Sequence, residues 1–169
     1  ESHSGGWSMR VGIIRPYDNR YSYSGARQKV TIPSGIASAT LSFWLYPQSG
    51  DSGPVPTPYP RTATLQSLDY LTYDVQYVLI LDEYEQWIDT LVWEARDDCR
   101  WMQYRFDLSK YAGRTIKVHF GAYNTGWGGA TGMYVDDVSL EICTAGGVTR
   151  TPTRTATPTR TPTPTRTPS

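Results

Sequence analysis

The chain has little of what most catalytic sites and membrane anchors require. No stretch approaches the roughly 18 consecutive apolar residues of a membrane-spanning helix, so such a helix is excluded. Only 2 histidines and 2 cysteines occur among 169 residues, and neither cysteine lies in a motif typical of an activated nucleophile. Helical periodicity is also absent, apart from a short turn at Ser109–Tyr111. These shortages favour a non-enzymatic β protein.

The chain also lacks net charge, but this balance hides two unlike parts. It has 16 basic and 16 acidic residues in all. Residues 149–169 contain four arginines and no acid, which leaves residues 1–148 mildly acidic. A nucleic-acid-binding domain is expected to cluster its basic residues on the folded surface. The charge distribution therefore argues against nucleic acid as a partner.

Short stretches of alternating or continuous apolar residues predict eight strands. In residues 39–47, Leu41, Phe43 and Leu45 alternate with polar or amphipathic residues, which is typical of a half-buried strand. Residues 74–82 are nearly all apolar, which predicts a central strand buried on both faces. The predicted strands are 8–14, 28–32, 39–47, 74–82, 87–93, 101–108, 115–123 and 132–142. We therefore predict an all-β fold, an antiparallel β-sandwich (jelly roll), over residues 1–145.

Residues 146–169 form a low-complexity tail. Threonine occupies every odd position from 149 to 167, and the even positions hold arginine, proline or alanine. All five tail prolines lie at even positions. In an extended strand, the N–H and C=O of one residue point to one edge, and those of the next residue point to the opposite edge. The prolines would thus remove donors from one edge only, which predicts a segment able to add to an open sheet edge. The alternative is a proline-rich spacer carrying O-glycans. The threonines assigned to assembly or glycosylation are Thr149, Thr151, Thr153, Thr155, Thr157, Thr159, Thr161, Thr163, Thr165 and Thr167.

Two adjacent carboxylates in the last long strand are candidate metal ligands. Strict alternation places Asp136 on the same face as the inward residues Val138 and Leu140. A carboxylate in that position needs hydrogen bonds or a cation to offset its desolvation. Asp136 and Asp137 are therefore candidate ligands of a structural Ca²⁺ ion, and main-chain hydrogen bonding is the alternative.

Aromatic residues in loops are candidate sugar contacts, because flat rings match the apolar faces of pyranoses. Of the six tryptophans, Trp127 lies in a glycine-rich loop and is expected to be exposed. Tyr59 lies in the long proline-containing loop 48–69, and Tyr21 and Tyr23 are also predicted to lie in loops. The alternative for each of them is an ordinary packing role.

The two cysteines allow one disulfide bond. Cys99 precedes one predicted strand and Cys143 follows another, so a Cys99–Cys143 bond would tie the C-terminal strand into the sheet. Two separate free thiols are the alternative, because two cysteines are too few to define a disulfide scaffold.

Five motifs together resemble a bacterial extracellular jelly-roll family that is similar to MAM and carbohydrate-binding-module sandwiches. They are GWSMRVG (residues 6–12), QKVTIP (28–33), ATLSFWLY (39–46), FDLSKYAGRTIKVHF (106–120) and YVDDVSL (134–140). The resemblance implies secretion, no enzymatic activity in this module, and Ca²⁺ at the position matched by Asp136. It says little about function, because this architecture supports sugar binding, adhesion and structural roles alike.

The chain departs from that family at its start. Such domains open with an Asn-Gly-x-Phe-Glu-type strand, whereas this chain begins at Glu1, almost directly on a Ser-Gly turn. We therefore expect an open groove or edge in the sandwich. Together with the tail, this predicts an extracellular or cell-surface structural protein that self-associates into a homopolymeric filament by tail-to-sandwich strand complementation. The alternative is a carbohydrate-binding or adhesion module with a Thr/Pro linker.

Overall fold

The described residues form two antiparallel sheets that pack as a β-sandwich. This computed structural model describes residues 1–15, 17–51, 71–144 and 147–149, the last three by their backbone alone. Its strands are β1 (Met9–Gly12), β2 (Tyr21–Thr31), β3 (Ile36–Ser49), β4 (Val75–Leu81), β5 (Trp87–Glu94), β6 (Met102–Asp107), β7 (Thr115–Thr125), β8 (Thr131–Thr144) and β9 (Gly147–Thr149). The predicted fold class is confirmed. Within these ranges, no helix is long and apolar enough to cross a membrane.

The two sheets have different strand orders. The first sheet runs β1-β8-β3-β6, and β9 pairs with β8 along the edge that β1 also uses. The second sheet runs β2-β7-β4-β5. A 3-10 helix at Ser109–Tyr111 connects β6 to β7, where the sequence predicts a short turn.

The core lies between the sheets and follows the predicted alternation. Leu41, Phe43 and Leu45 of β3 are each at most 2% exposed and pack in the main cluster. Burial of one such side chain contributes about 1.5–3 kcal/mol. Every residue of β4 is buried, with Val78 facing this core and Tyr77 in a second cluster on the opposite face of the sheet. The prediction of a central strand buried on both faces is confirmed.

Strand β2 begins earlier than the sequence predicts. Tyr21 and Tyr23 are paired with β7 from the start of the strand, and were predicted to lie in loops. Residues 21–24 alternate tyrosine with serine, a pattern that strands also show, but they lack the Val, Ile or Leu residues that mark the other predicted strands. Hydrogen bonding to β7 forms the strand in spite of this composition.

Strand β8 contains a bulge that reverses its alternation. Ser42 of β3 pairs with Ser139, whereas Trp44 pairs with Asp136, so β8 has one residue more than β3 between these pairs. Asp137 lies in the bulge and has φ of +48°. An extra residue of this kind turns the following side chains to the other face of the strand.

The bulge makes the predicted orientation of Asp136 wrong. Before the bulge, Met133 and Val135 face the core, and after it Val138 and Leu140 do. Asp136 follows Val135 directly and precedes the bulge, so its side chain points to the opposite face from Val135, which is the outer face of the sheet. Strict alternation fails here because the bulge adds a residue to β8 that has no partner in β3.

Candidate functional site

The loop between β7 and β8 presents Trp127 to solvent. Its side chain is 83% exposed, in agreement with the expected exposure of this residue. Gly126 and Gly128 on either side have φ of +86° and +73°, a region that residues with a β-carbon rarely adopt. A β-carbon on Gly126 would also lie 2.6 Å from the backbone nitrogen of Tyr21. The two glycines therefore let the loop turn tightly against the start of β2.

A buried carboxylate, that of Asp74, anchors the base of this loop. Asp74 immediately precedes β4 and is fully buried. Its Oδ1 accepts hydrogen bonds from the backbone N–H of Thr125 at 2.7 Å and from the Thr125 hydroxyl at 2.8 Å. Its Oδ2 accepts one from Asn19 Nδ2 at 3.1 Å. The end of β7 is thus fixed to the start of β4.

Further hydrogen bonds hold the loop backbone itself. Asn19 Nδ2 lies 2.7 Å from the carbonyl oxygen of Trp127 and 3.0 Å from that of Gly129. The backbone N–H of Trp127 donates to the Thr125 hydroxyl at 3.2 Å, and the backbone N–H of Gly129 donates to Asp51 Oδ1 at 2.7 Å. We call the group formed by Asp51, Asp74, Asn19 and Thr125 the loop clasp. It holds the backbone on both sides of an indole ring that remains open to solvent.

The electrostatics of the loop clasp are set by burial. Desolvation raises the pKa of the Asp74 carboxyl, and the nearby Asp51 raises it further. The hydrogen bonds from Thr125 and Asn19 act in the opposite direction. A carboxylate in this position is a structural acceptor, since its oxygens are already used by donors of the loop.

Two tyrosines of β2 extend the exposed aromatic surface next to this loop. Tyr21 is 56% exposed and Tyr23 is 43% exposed, and their hydroxyl oxygens lie 3.2 Å apart. Both rings contact the buried ring of Tyr123 on β7, with centroid distances of 5.9 Å and 5.0 Å. We call Trp127, Tyr21 and Tyr23 the aromatic surface.

The same face of the sheet continues as aromatic residues that are buried or half-buried. Trp87 and Trp93 of β5 stack with centroids 5.3 Å apart, and Tyr77 of β4 stacks on Trp93. Tyr77 is 2% exposed, and its burial raises the pKa of the phenol to about 12. Among the described residues of β2, β4, β5 and β7, the exposed aromatic side chains on this face are therefore Tyr21 and Tyr23, beside the Trp127 loop.

Asp136 and Asp137 bind the N-terminal turn. Asp136 Oδ2 accepts the backbone N–H groups of His3 at 2.8 Å and Ser4 at 3.2 Å. The Asp137 carboxylate contacts His3 Nδ1 at 2.7 Å and the Ser4 hydroxyl at 2.5 Å. The His3 ring stacks on Trp44 with a centroid distance of 3.8 Å. We call this arrangement the N-terminal clasp.

These contacts fit hydrogen bonding better than a calcium ion. The fourth carboxylate oxygen, Asp136 Oδ1, accepts the N–H of Asp137, so all four oxygens already have donors. N–H and O–H donors occupy the positions that Ca²⁺ would need for its own ligands. Among the residues that the structure describes, no three His, Cys, Asp or Glu side chains form a group that could hold a metal ion. The donor set therefore does not fit Ca²⁺, and the calcium site stays a prediction.

The two cysteines do not form a disulfide bond in the structure. Both are free thiols. The Cys99 N–H bonds to the carbonyl of Pro47, whereas Cys143 pairs with Ser38. These two partners lie nine residues apart along β3, which separates them by about 30 Å. The expected disulfide is corrected to the alternative of two separate thiols.

Several predicted site residues lie outside the described part of the chain. These are Tyr59 and the tail threonines from Thr151 to Thr167. Thr149 is the last residue of β9, and its backbone pairs with Ile142 of β8. The assignments of Tyr59, Trp127 and the tail threonines to ligand binding, assembly or glycosylation stay predictions.

Sequence reasoning missed the loop clasp. Asp74 was counted with the predicted strand 74–82, and Asn19 and Asp51 carry no local signal. The three come together from loops far apart in the sequence, next to β4 and β7. A partial signal does exist, because an aspartate directly before an all-apolar strand is expected to need a hydrogen-bond donor.

Comparison with known proteins gives one kind of match. No family model matches the chain, and no curated protein matches it either. Among solved structures, a protein named "Family 16 Carbohydrate Binding Module-2" is similar, with 14% sequence identity and a TM-score of 0.40 over 82% of this chain and 78% of that one. A likeness this distant does not bear on what the chain binds. The predicted filament subunit is not supported by these comparisons and stays a prediction.

Proposed function

We propose that this chain is a carbohydrate-binding module whose ligand stacks on the aromatic surface formed by Trp127, Tyr21 and Tyr23. The observation that carries this proposal is the exposure of Trp127 on a loop held by the loop clasp. Exposed aromatic groups on a preorganised backbone are typical of binding sites, since little order has to be gained on binding.

The chemistry of the aromatic surface fits a polysaccharide. An indole or phenol ring offers a flat apolar face to the C–H groups of a pyranose ring, and a phenol hydroxyl adds a polar contact. Trp127 is 83% exposed and the neighbouring tyrosines are about half exposed, so both ring types are accessible. We infer a polysaccharide ligand that crosses the loop and the start of β2, in the extracellular setting where such ligands occur.

The proposal does not include catalysis. A glycosidase needs two carboxyl groups that flank the scissile bond with room for the sugar between them. Among the described residues that hold the Trp127 loop, the carboxylates are those of Asp74, which is fully buried, and Asp51, which accepts the N–H of Gly129. Both stabilise the loop, which supports a binding role.

Binding to soluble polysaccharides tests the proposal. In native affinity electrophoresis against glucans, mannans and xylans, we expect the wild-type chain to be retarded by at least one polysaccharide. Trp127→Ala is expected to weaken this binding at least about tenfold, since a central aromatic contact contributes about 1.4 kcal/mol or more.

Trp7→Ala is the matched control for this experiment. Trp7 is also highly exposed, at 89%, but it lies beside the Asp137 end of β8 rather than the loop clasp. Its removal is expected to leave retardation unchanged. Retardation by no polysaccharide, or equal effects of the two substitutions, would contradict the proposal.

A further inference from the structure

One edge of β8 is paired at both ends and open in the middle. Met9–Gly12 of β1 pairs with β8 up to Val135, and β9 pairs with it from Ile142 onward. Among the described strands, none pairs with residues 136–141 along this edge. Unpaired main-chain groups at a sheet edge are a template for a further strand, so this edge can accept a short one.

The open stretch borders a groove between the two sheets. The groove has a volume of about 920 Å³, and residues 135–140 of β8 line one side of it. β2, which is the edge strand of the other sheet, lines the opposite side. Apolar side chains from both sheets lie between these two strands, namely Leu41, Val118 and Phe120. A strand added to β8 would therefore place every second side chain against an apolar floor.

The bulge determines which main-chain groups of β8 point to this edge. The Ile13 N–H donates to the Thr131 carbonyl, so before the bulge the odd-numbered residues of β8 face β1. After the bulge the parity is reversed, and Ser139 directs its main-chain groups to β3. Val138 and Leu140 therefore direct their N–H and C=O groups to the open edge.

The outer face of the open stretch is acidic. Val138 and Leu140 pack against the core, so the side chain of Glu141 lies on the outer face. The stretch 136–141 has three carboxylates and no base. Two of them belong to the N-terminal clasp, whereas Glu141 has no ion-pair partner in the described part of the chain. Directly opposed side chains in an antiparallel pair have β-carbons about 4.5–5.5 Å apart, so a basic residue opposite Glu141 would complete an ion pair.

We propose that this groove binds an extended peptide of a partner protein, in which apolar residues alternate with lysine or arginine. The peptide would run antiparallel to β8, as β1 and β9 do. Its apolar residues would exchange main-chain hydrogen bonds with Val138 and Leu140 and would turn their side chains to the groove floor. Its basic residues would lie on the outer face, one of them opposite Glu141. The proposal does not rest on the proposed carbohydrate binding.

The unpaired main chain favours a peptide over a small apolar molecule. An apolar molecule would fill the floor of the groove but would separate the N–H and C=O groups of Val138 and Leu140 from water without replacing those hydrogen bonds. Each polar group buried in this way costs free energy. A peptide strand covers the same floor and supplies the missing partners, because its own main chain carries a donor and an acceptor at each apolar position.

A synthetic peptide of alternating lysine and valine, with both ends blocked, tests this binding. It is titrated into the full chain, and the backbone amides are followed by NMR. We expect chemical shift changes at residues 138–141 and exchange of the Leu140 N–H slowed at least about tenfold at saturation, since a peptide carbonyl would accept it. The amides of Ser139 and Glu141 face β3 and should keep their exchange rates. No binding up to millimolar peptide, or shift changes at the aromatic surface instead of β8, would overturn the proposal.

Charge provides the second arm of the test. The same peptide with glutamate in place of lysine should bind at least about tenfold more weakly. Glu141→Lys should weaken binding of the lysine peptide about fivefold, since it replaces an ion pair with a repulsion. Glu83→Lys is the matched control, because it changes the net charge equally but lies in the turn between β4 and β5. Equal effects of the two substitutions, or equal binding of the two peptides, would refute the charge complementarity.

Methylation of single peptide nitrogens tests the strand pairing itself. In the proposed register, the valine N–H groups point to β8 and the lysine N–H groups point away from it. A methyl group on the central valine nitrogen should therefore weaken binding at least about tenfold, and one on a neighbouring lysine nitrogen should weaken it less. Equal affinity of the two methylated peptides would overturn the proposal and would indicate a groove that takes apolar side chains without strand pairing.

Discussion

The loop clasp and the N-terminal clasp use the same chemistry at different depths. In each, aspartate oxygens accept backbone N–H groups and a side-chain hydroxyl from a distant segment. Asp74 in the loop clasp is fully buried, whereas the Asp137 side chain in the N-terminal clasp is 37% exposed. The comparison separates what hydrogen bonding does from what burial does.

The pKa values of the two aspartates shift in opposite directions. Desolvation is the largest influence on Asp74 and raises its pKa. For Asp137, hydrogen bonds from Ser4 and His3 outweigh desolvation and lower the pKa. Burial therefore makes the charge of Asp74 costly, but it also makes its hydrogen bonds hard to replace with water.

The largest effect is expected from Asp74→Ala. This substitution leaves the Thr125 N–H without its acceptor, whereas the Thr125 hydroxyl and Asn19 Nδ2 each lose one acceptor and keep the carbonyl of Trp127. An unsatisfied buried donor costs about 1–3 kcal/mol, and the two other lost hydrogen bonds add to this, so the unfolding free energy should fall by about 3 kcal/mol in urea titrations. Asp137→Asn, which tolerates the positive φ of this position, is the control. An equal loss in both variants would contradict the importance of burial.

His119 lies in neither clasp, and it tests whether burial shifts a pKa without hydrogen bonds of the kind the two aspartates accept. It is 8% exposed on the outer face of its sheet, where the ring of Tyr77 contacts it edge-on at 5.4 Å. Alternation along β7 places His119 on the same face as Lys117, but no local pattern in the sequence indicates that its ring is covered. Desolvation, and then the charge of Arg27, lower its pKa to about 4, against the opposing effect of Glu85.

The expected consequence is a loss of stability in mild acid. The unfolded chain takes up a proton near pH 6.5 and the folded chain only near pH 4, so unfolding free energy falls as the pH falls between these values. At about 1.4 kcal/mol per pH unit, the difference amounts to about 3 kcal/mol. Urea titrations of wild type and His119→Gln measure it. An identical pH dependence in both would refute the assignment to His119.

The strands could be predicted from the sequence where their alternation reflects burial. Leu41, Phe43 and Leu45 alternate because one face of β3 meets the core, and each local pattern carries that information. The start of β2 alternates tyrosine with serine and has no Val, Ile or Leu that would mark a buried face. There, pairing of Tyr21 and Tyr23 with β7 decides the structure, and no local window contains both strands.

The candidate site could be predicted only in part, for a similar reason. Exposure of Trp127 follows from its glycine-rich surroundings, which are local. The loop clasp joins Asn19, Asp51 and Asp74 across three separate segments, and the bulge at Asp137 depends on the register between β3 and β8. Both are properties of strand pairing, so a single sequence read along its length does not specify them.

The smallest effect is expected from Asp137→Asn, which tests the exposed side of the comparison without adding backbone strain at the φ of +48°. Its partners, His3 and Ser4, can bond to water instead, so unfolding free energy should fall by less than about 1 kcal/mol at neutral pH. Because the folded pKa of Asp137 lies below the usual 3.8, this contribution is present above pH 3.8 and disappears as the pH falls through the folded value. Urea titrations of Asp137→Asn and wild type should therefore converge in acid. A loss as large as that of Asp74→Ala, or a gap that persists at low pH, would show that the exposed carboxylate acts as the buried one does.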